Sequence, residues 1–105
     1  MRYLVRYSDA AQHDLAAIFE WVADRSSSQV AEQFVMDIYA LCDGLSDFPY
    51  RGRSRDDLSP GLRALGFRIR AVIAFTIASG DVIVHGVYYG GRDYETIMRN
   101  HPAEG

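Results

Sequence analysis

Apolar and polar residues alternate at the start of the chain, in Arg2-Tyr3-Leu4-Val5-Arg6-Tyr7, and place Tyr3, Val5 and Tyr7 on one side of an extended strand. The period then changes. Ala11, Leu15, Ile18, Phe19 and Val22 recur at helical spacing, while Asp14, Glu20 and Asp24 fall outside the apolar stripe. Ser8-Asp9 offers an N-cap, and Gln12, three residues after Asp9, is placed to complete a capping box. Ser26-Ser27-Ser28 breaks this helix and caps the next. The second helix carries Ala31, Phe34, Ile38, Leu41, Leu45 and Phe48 in an unbroken stripe, the pattern of a helix packed on an antiparallel neighbour. It is expected to stop near Phe48, because proline at 49 disfavours helical geometry in the residue before it.

Residues 49–61 read as loop, with Pro49, Gly52, Pro60 and Gly61 set among charges. Residues 62–67, 70–78 and 82–89 follow as strands, the last two joined as a hairpin through Ser79-Gly80-Asp81. Ile73, Phe75 and Ile77 are expected on one face of the middle strand, and Ile83, His85, Val87 and Tyr89 on one face of the next. The order predicts an α+β fold in a single domain, 1–105: an N-terminal strand, a two-helix hairpin and a three-stranded antiparallel C-terminal sheet segment. The hairpin covers one face of the sheet, and the other is left for solvent or a partner.

A chain of 105 residues is long enough to bury about two-thirds of its unfolded surface in one core. Its apolar fraction of 49% and charged fraction of 24% are those of a globular protein. No apolar run approaches the roughly 18 residues that a membrane span needs, and the alternating N-terminus lacks a signal peptide's apolar core. The single Cys42 cannot form an internal disulfide. Together these point to a cytoplasmic protein with no membrane association.

Charge is uneven along the chain. Eight of the 14 acids precede Pro49, whereas six of the 11 cations (Arg51, Arg53, Arg55, Arg63, Arg68 and Arg70) fall between 51 and 70, and there is no lysine. All the cations are thus planar bidentate donors suited to carboxylate or phosphate. The net charge of −3 argues against broad nucleic-acid binding, which depends on neutralising phosphates. His13, His85 and His101 show no metal-ligand spacing. Cys42 flanks the apolar stripe and reads as core, and Trp21 suits helix packing or a partner groove. No cofactor or metal site is expected.

The order of motifs resembles small bacterial toxins of the ParE/RelE superfamily. The resemblance runs through Tyr7-Ser8, Ala11, Asp14-Leu15 and Ile18, then Phe48-Pro49 with Gly52-Arg53, then Pro60-Gly61-Leu62-Arg63. It closes with Val87-Tyr88-Tyr89-Gly90 and Arg92-Asp93-Tyr94. The closing stretch is more similar to the ParE branch, from which it departs at Gly86, Tyr89 and Gly91, where arginine, histidine and arginine are common. The ParE resemblance implies a non-enzymatic toxin of a type II toxin–antitoxin pair that poisons DNA gyrase. Its neutraliser would be a ParD-like antitoxin of the ribbon-helix-helix type, bearing an acidic, apolar segment. Arg53, Arg63 and Arg70 are then candidates for antitoxin binding. Tyr89, Arg92 and Tyr94 at the strand exit, with Trp21, are candidates for the target surface, arginine and aromatic side chains being the common interface anchors.

Two other readings stand beside it. A RelE-like ribosome-dependent ribonuclease would need a base for the 2′-hydroxyl, a cation at the phosphate and an acid for the leaving oxygen. His85, Arg63, Arg70 and Tyr94 are the candidates, with Arg68, Tyr88 and Tyr89 as further possibilities. A homologue that retains only antitoxin binding is the third reading.

Overall fold

In the computed structural model residues 2–68 and 71–89 are described; Arg70 and residues 90–105, with Arg92, Tyr94 and His101 among them, lie outside the described residues. Strand β1 (Leu4–Tyr7) leads into α1 (Asp9–Arg25) and α2 (Ser28–Asp43), and a 3-10 turn (Gly44–Ser46) follows. The chain then forms β2 (Arg53–Ser54), β3 (Arg63–Phe67), β4 (Ala71–Ala78) and β5 (Asp81–Tyr88).

The helix starts are set by serines. Ser8 caps α1 by accepting from the Ala11 amide at 3.0 Å, and Ser27 caps α2 by accepting from the Val30 amide at 3.1 Å. The capping box does not form, because Ser8 rather than Asp9 is the cap. Gln12 donates instead to the Tyr7 carbonyl. Helix α2 ends five residues earlier than its apolar stripe suggests, with Gly44 closing it. Leu45 is still buried, but Phe48 turns outward and is 68% exposed.

Among the described residues the sheet has five strands in the order β1-β5-β4-β3-β2. Three are the expected antiparallel strands. The N-terminal strand joins them in parallel beside β5, and the short β2 pairs with β3 through Arg53↔Ala64 and Ser54↔Arg63. The β4–β5 turn has positive φ at both Ser79 (46°) and Gly80 (84°), the form that fits a twisted two-residue hairpin.

The core lies between the hairpin and one sheet face. Ala11, Leu15, Ile18 and Val22 of α1 meet Ala31, Phe34, Ile38 and Cys42 of α2, and both sets pack on Ile73, Phe75, Val82, Val84 and Val87. The opposite face is not left bare. Residues 55–62 fold back over it, tied by Arg55 N–H to Leu62 O at 2.7 Å and Leu62 N–H to Ser59 O at 3.0 Å. Leu58 and Leu62 thereby bury Ala74 and Tyr88 in a second, smaller cluster. Arg55 is buried there with a bidentate grip on Asp57, at 3.0 and 2.9 Å.

A bulge in β5 changes the expected strand faces. Ala74 pairs with Gly86 and Phe75 with Val84, so His85 is the extra residue. Before it Val82 and Val84 face the helices; after it Val87 does, and Tyr89 packs against the same core. Ile83 and His85 lie on the other face, so the four residues expected together are split by the bulge.

Candidate functional site

Helix α1 holds the bulged stretch of β5 in place. Where β1 ends, the Ser8 amide donates to Val84 O at 3.0 Å, the Ser8 hydroxyl donates to His85 O at 3.1 Å, and Asp14 Oδ2 accepts from the Val87 amide at 3.0 Å. The N-terminus of α1 thus continues the strand ladder and satisfies backbone groups that the bulge would orphan. The end of β5 is then aimed at the outer half of α1.

There Tyr89 meets Trp21 edge-to-face at 4.9 Å and Phe34 at 5.0 Å, and Phe34 meets Phe67 at 5.4 Å. Arginines flank this row. The Arg25 guanidinium lies 3.9 Å from the Trp21 ring centre, and Arg68 sits over Phe67 at 4.8 Å while bonding Asp37 at 2.7 Å. A cleft of about 100 Å³, lined by Asp14, Ala17, Ile18, Trp21, Val87 and Tyr89, opens beside the row. A second of about 220 Å³, lined by His13, Ala16, Ala17 and Glu20, adjoins it through Ala17. Two of the target-surface candidates, Trp21 and Tyr89, are therefore brought together. Arg25, Phe34, Phe67 and Arg68 complete the row and were not among the sequence candidates for it. Arg25, four residues after Trp21 on one helix, was the available signal.

The ribonuclease candidates are not assembled among the described residues. His85 lies on the sheet face away from the helices, with Nε2 2.8 Å from the Thr76 hydroxyl. Arg63 pairs with Phe75 in the β3–β4 register and so belongs to the helix-facing side. Its guanidinium is occupied by main-chain oxygens, with Nη2 donating to Tyr50 O at 2.8 Å and to Gly52 O at 3.4 Å, and Nε to Arg51 O at 3.3 Å. Arg70 and Tyr94 are outside the described residues. Of the antitoxin candidates, Arg53 is exposed in β2, where it pairs with Ala64, the residue after Arg63 in β3; Arg70 lies outside the described residues.

Cys42 is fully buried in the core, and burial pushes its thiol up to about 12, with the neighbouring Asp43 carboxylate adding to the shift. Tyr7, which donates to Asp43 at 2.9 Å, is likewise pushed upward, chiefly by burial. No group of three or more metal-ligating side chains occurs among the described residues. No helix among them is long and apolar enough to cross a membrane.

Burial also lowers the His85 pKa from its ordinary 6.5. The unfolded chain then binds more protons than the folded one as pH falls through about 6.5, so stability drops between that value and the lower folded pKa. His85→Gln keeps a polar group facing Thr76 but does not titrate. Urea melts at about pH 7 and pH 5.5 are expected to show a smaller acid loss in the variant than in the wild type. Equal losses would assign the effect to another group.

The strand–helix–helix–strand order, with the N-terminus of α1 bonded to β5, defines a small α+β fold. The family model described as "ParE toxin of type II toxin-antitoxin system, parDE" matches residues 5–94, and the chain belongs to that family. Among solved structures, the chromosomal ParDE toxin–antitoxin system from P. aeruginosa matches with a TM-score of 0.74 at 20% identity. That match covers 84% of this chain and 96% of the other. The toxin–antitoxin complex RelBE2 from Mycobacterium tuberculosis matches with a TM-score of 0.53 at 18% identity, over 86% and 100% of the two chains. No curated protein matches the sequence. At these identities the two structural likenesses concern the fold alone.

Gly86, one of the departures from the ParE pattern, has a steric reason. A Cβ there would stand 2.6 Å from the Tyr88 hydroxyl and 2.8 Å from its Cζ, because the Tyr88 ring lies back over this residue. Tyr88 is itself buried in the second cluster.

Proposed function

We propose that this ParE-family toxin poisons DNA gyrase in the cytoplasm without catalysing a reaction, and that a ParD-like antitoxin of the ribbon-helix-helix type neutralises it. Membership of the family is the observation that carries this reading. The target surface is the aromatic row at the end of β5, with Trp21 and Tyr89 as anchors and Arg92 and Tyr94 following in sequence. Aromatic rings fixed by edge-to-face contacts offer large contact area at little entropic cost on binding. The separation of His85 and Arg63 onto opposite sheet faces supports a binding role over a ribonucleolytic one.

Purified protein is expected to inhibit supercoiling by DNA gyrase and to leave messenger RNA on translating ribosomes intact. Adding the antitoxin is expected to restore supercoiling. Cleavage of RNA in the ribosomal A site, lost on His85→Ala, would instead establish the RelE-like reaction. A protein that binds antitoxin but affects neither gyrase nor RNA would be the inactive binding homologue.

A further inference from the structure

The segment that leads from the 3-10 turn into β2, residues 48–53, has no role in the target surface, yet it is built as a display. Phe48 and Tyr50 are 68% and 67% exposed, while Pro49 between them is buried and anchors the turn. Single exposed apolar side chains are ordinary; two aromatics this exposed, two residues apart, on a pinned turn, are not. The pinning comes from Arg63, whose side chain donates to the carbonyls of Tyr50, Arg51 and Gly52 and lies 5.6 Å from the Tyr50 ring centre. Gly52 completes it. Its φ is +74°, and a Cβ there would stand 2.3 Å from Ala64 O, so the chain presses directly onto β3.

The charges on this turn are also distinctive. Arg2, Arg6, Arg55 and Arg68 have carboxylate partners at 2.7 to 3.1 Å. Arg25 is stacked on Trp21, and Arg63 is occupied by carbonyls. Arg51 and Arg53 are exposed and meet no carboxylate among the described residues. Two aromatic anchors beside two such guanidiniums match a partner that brings apolar side chains and spaced carboxylates. A polyanion fits less well, since exposed Asp47, Asp56 and Asp57 flank the turn and the chain carries a net charge of −3.

We infer that residues 48–53 form a docking surface for an acidic, apolar-bearing segment of the antitoxin, with Phe48, Tyr50, Arg51 and Arg53 as contacts and Arg63 as the positioning residue. This rests on the toxin–antitoxin reading above. It replaces the sequence assignment of Arg63 as a direct contact, and it adds Phe48, which the periodicity assigned to the core. Because the turn is already held in shape, binding has little loop ordering to offset. The surface lies at the opposite end of the helical hairpin from Trp21.

The test is calorimetric titration of the whole 105-residue chain with a purified ParD-like antitoxin, chosen because its co-expression relieves the chain's growth arrest. Phe48→Ala/Tyr50→Ala and Arg51→Ala/Arg53→Ala are each expected to raise Kd at least about tenfold, with melting temperature kept because all four side chains are exposed. Arg63→Gln is expected to weaken binding and to speed amide exchange at residues 50–53, a readout that loss of a simple contact would not move. Unchanged affinity in both double variants overturns the inference and leaves the toxin–antitoxin reading standing. No binding by the wild type overturns both. A single-stranded DNA oligonucleotide that binds the wild type as tightly as the antitoxin does, and is lost with Phe48→Ala/Tyr50→Ala, overturns the choice of a protein partner.

Discussion

Phe75→Ala is expected to cost about 3–5 kcal/mol, a large share of the roughly 5–15 kcal/mol by which a domain of this size is stable. Phe75 is fully buried and is the largest side chain to be so among the described residues. It sits in β4, the central strand of five, opposite Val84 on one side and Arg63 on the other, and packs in the cluster that joins both helices to the sheet. Its neighbours are main-chain-tied strands that cannot collapse into the vacated space, which is the condition for the upper part of the range. Urea unfolding followed by circular dichroism measures the change. Val30→Ala, on the exposed side of α2, is the control and is expected to change stability by less than about 0.5 kcal/mol. A Phe75→Ala cost below about 1 kcal/mol would mean that the sheet centre relaxes far more than its register suggests.

The second large effect is functional. Trp21→Ala is expected to abolish growth arrest in cells and to reduce gyrase inhibition at least about thirtyfold, the range of an interface hot spot. Trp21 is 36% exposed, and its ring is held from two sides, by Tyr89 at 4.9 Å and by the Arg25 guanidinium at 3.9 Å. Removing it leaves the core stripe of α1 intact, so the stability cost is expected to be only about 1 kcal/mol. Antitoxin affinity is expected to be unchanged, because residues 48–53 follow the other end of the hairpin. Arg92→Ala/Tyr94→Ala is the companion variant, with the same expected loss of toxicity. Colony counts on induction and a supercoiling assay check both. Full toxicity of Trp21→Ala would move the target surface away from this row.

Much of the fold was legible in the residues because it rests on local rules. The serines before α1 and in the break between the helices act as caps, and the Ser79-Gly80 turn closes the last hairpin. Ala31, Phe34 and Ile38 are buried as their spacing requires. Phe48 shows where that logic stops. It continues the stripe by count, but the helix closes at Gly44, and a residue beyond the end of a helix no longer inherits the helix's facing. Strand β2 was missed because two residues among arginines carry no period. Its pairing is set by the Gly52 turn and by the neighbouring β3 edge.

The site was less legible than the fold. Trp21 and Tyr89, far apart in sequence, could be named as interface residue types, but their contact depends on how the end of β5 is aimed at α1. The His85 bulge and the Asp14 and Ser8 bonds set that aim. The surroundings of Arg63 were hidden for a related reason: composition identifies a guanidinium but says nothing of the three carbonyls that the preceding turn brings to it. By itself the sequence determined the element order apart from β2 and the apolar faces of both helices, since periodicity, capping and turn chemistry act over a few residues; the toxin family was legible from the order of its motifs. Only the tertiary structure decided the sheet order, which residues face the helices beyond the bulge, and which arginines are structural and which are free to meet a partner. Those depend on contacts between residues as much as 77 positions apart, such as Ser8 with His85, whose pairing no local pattern records.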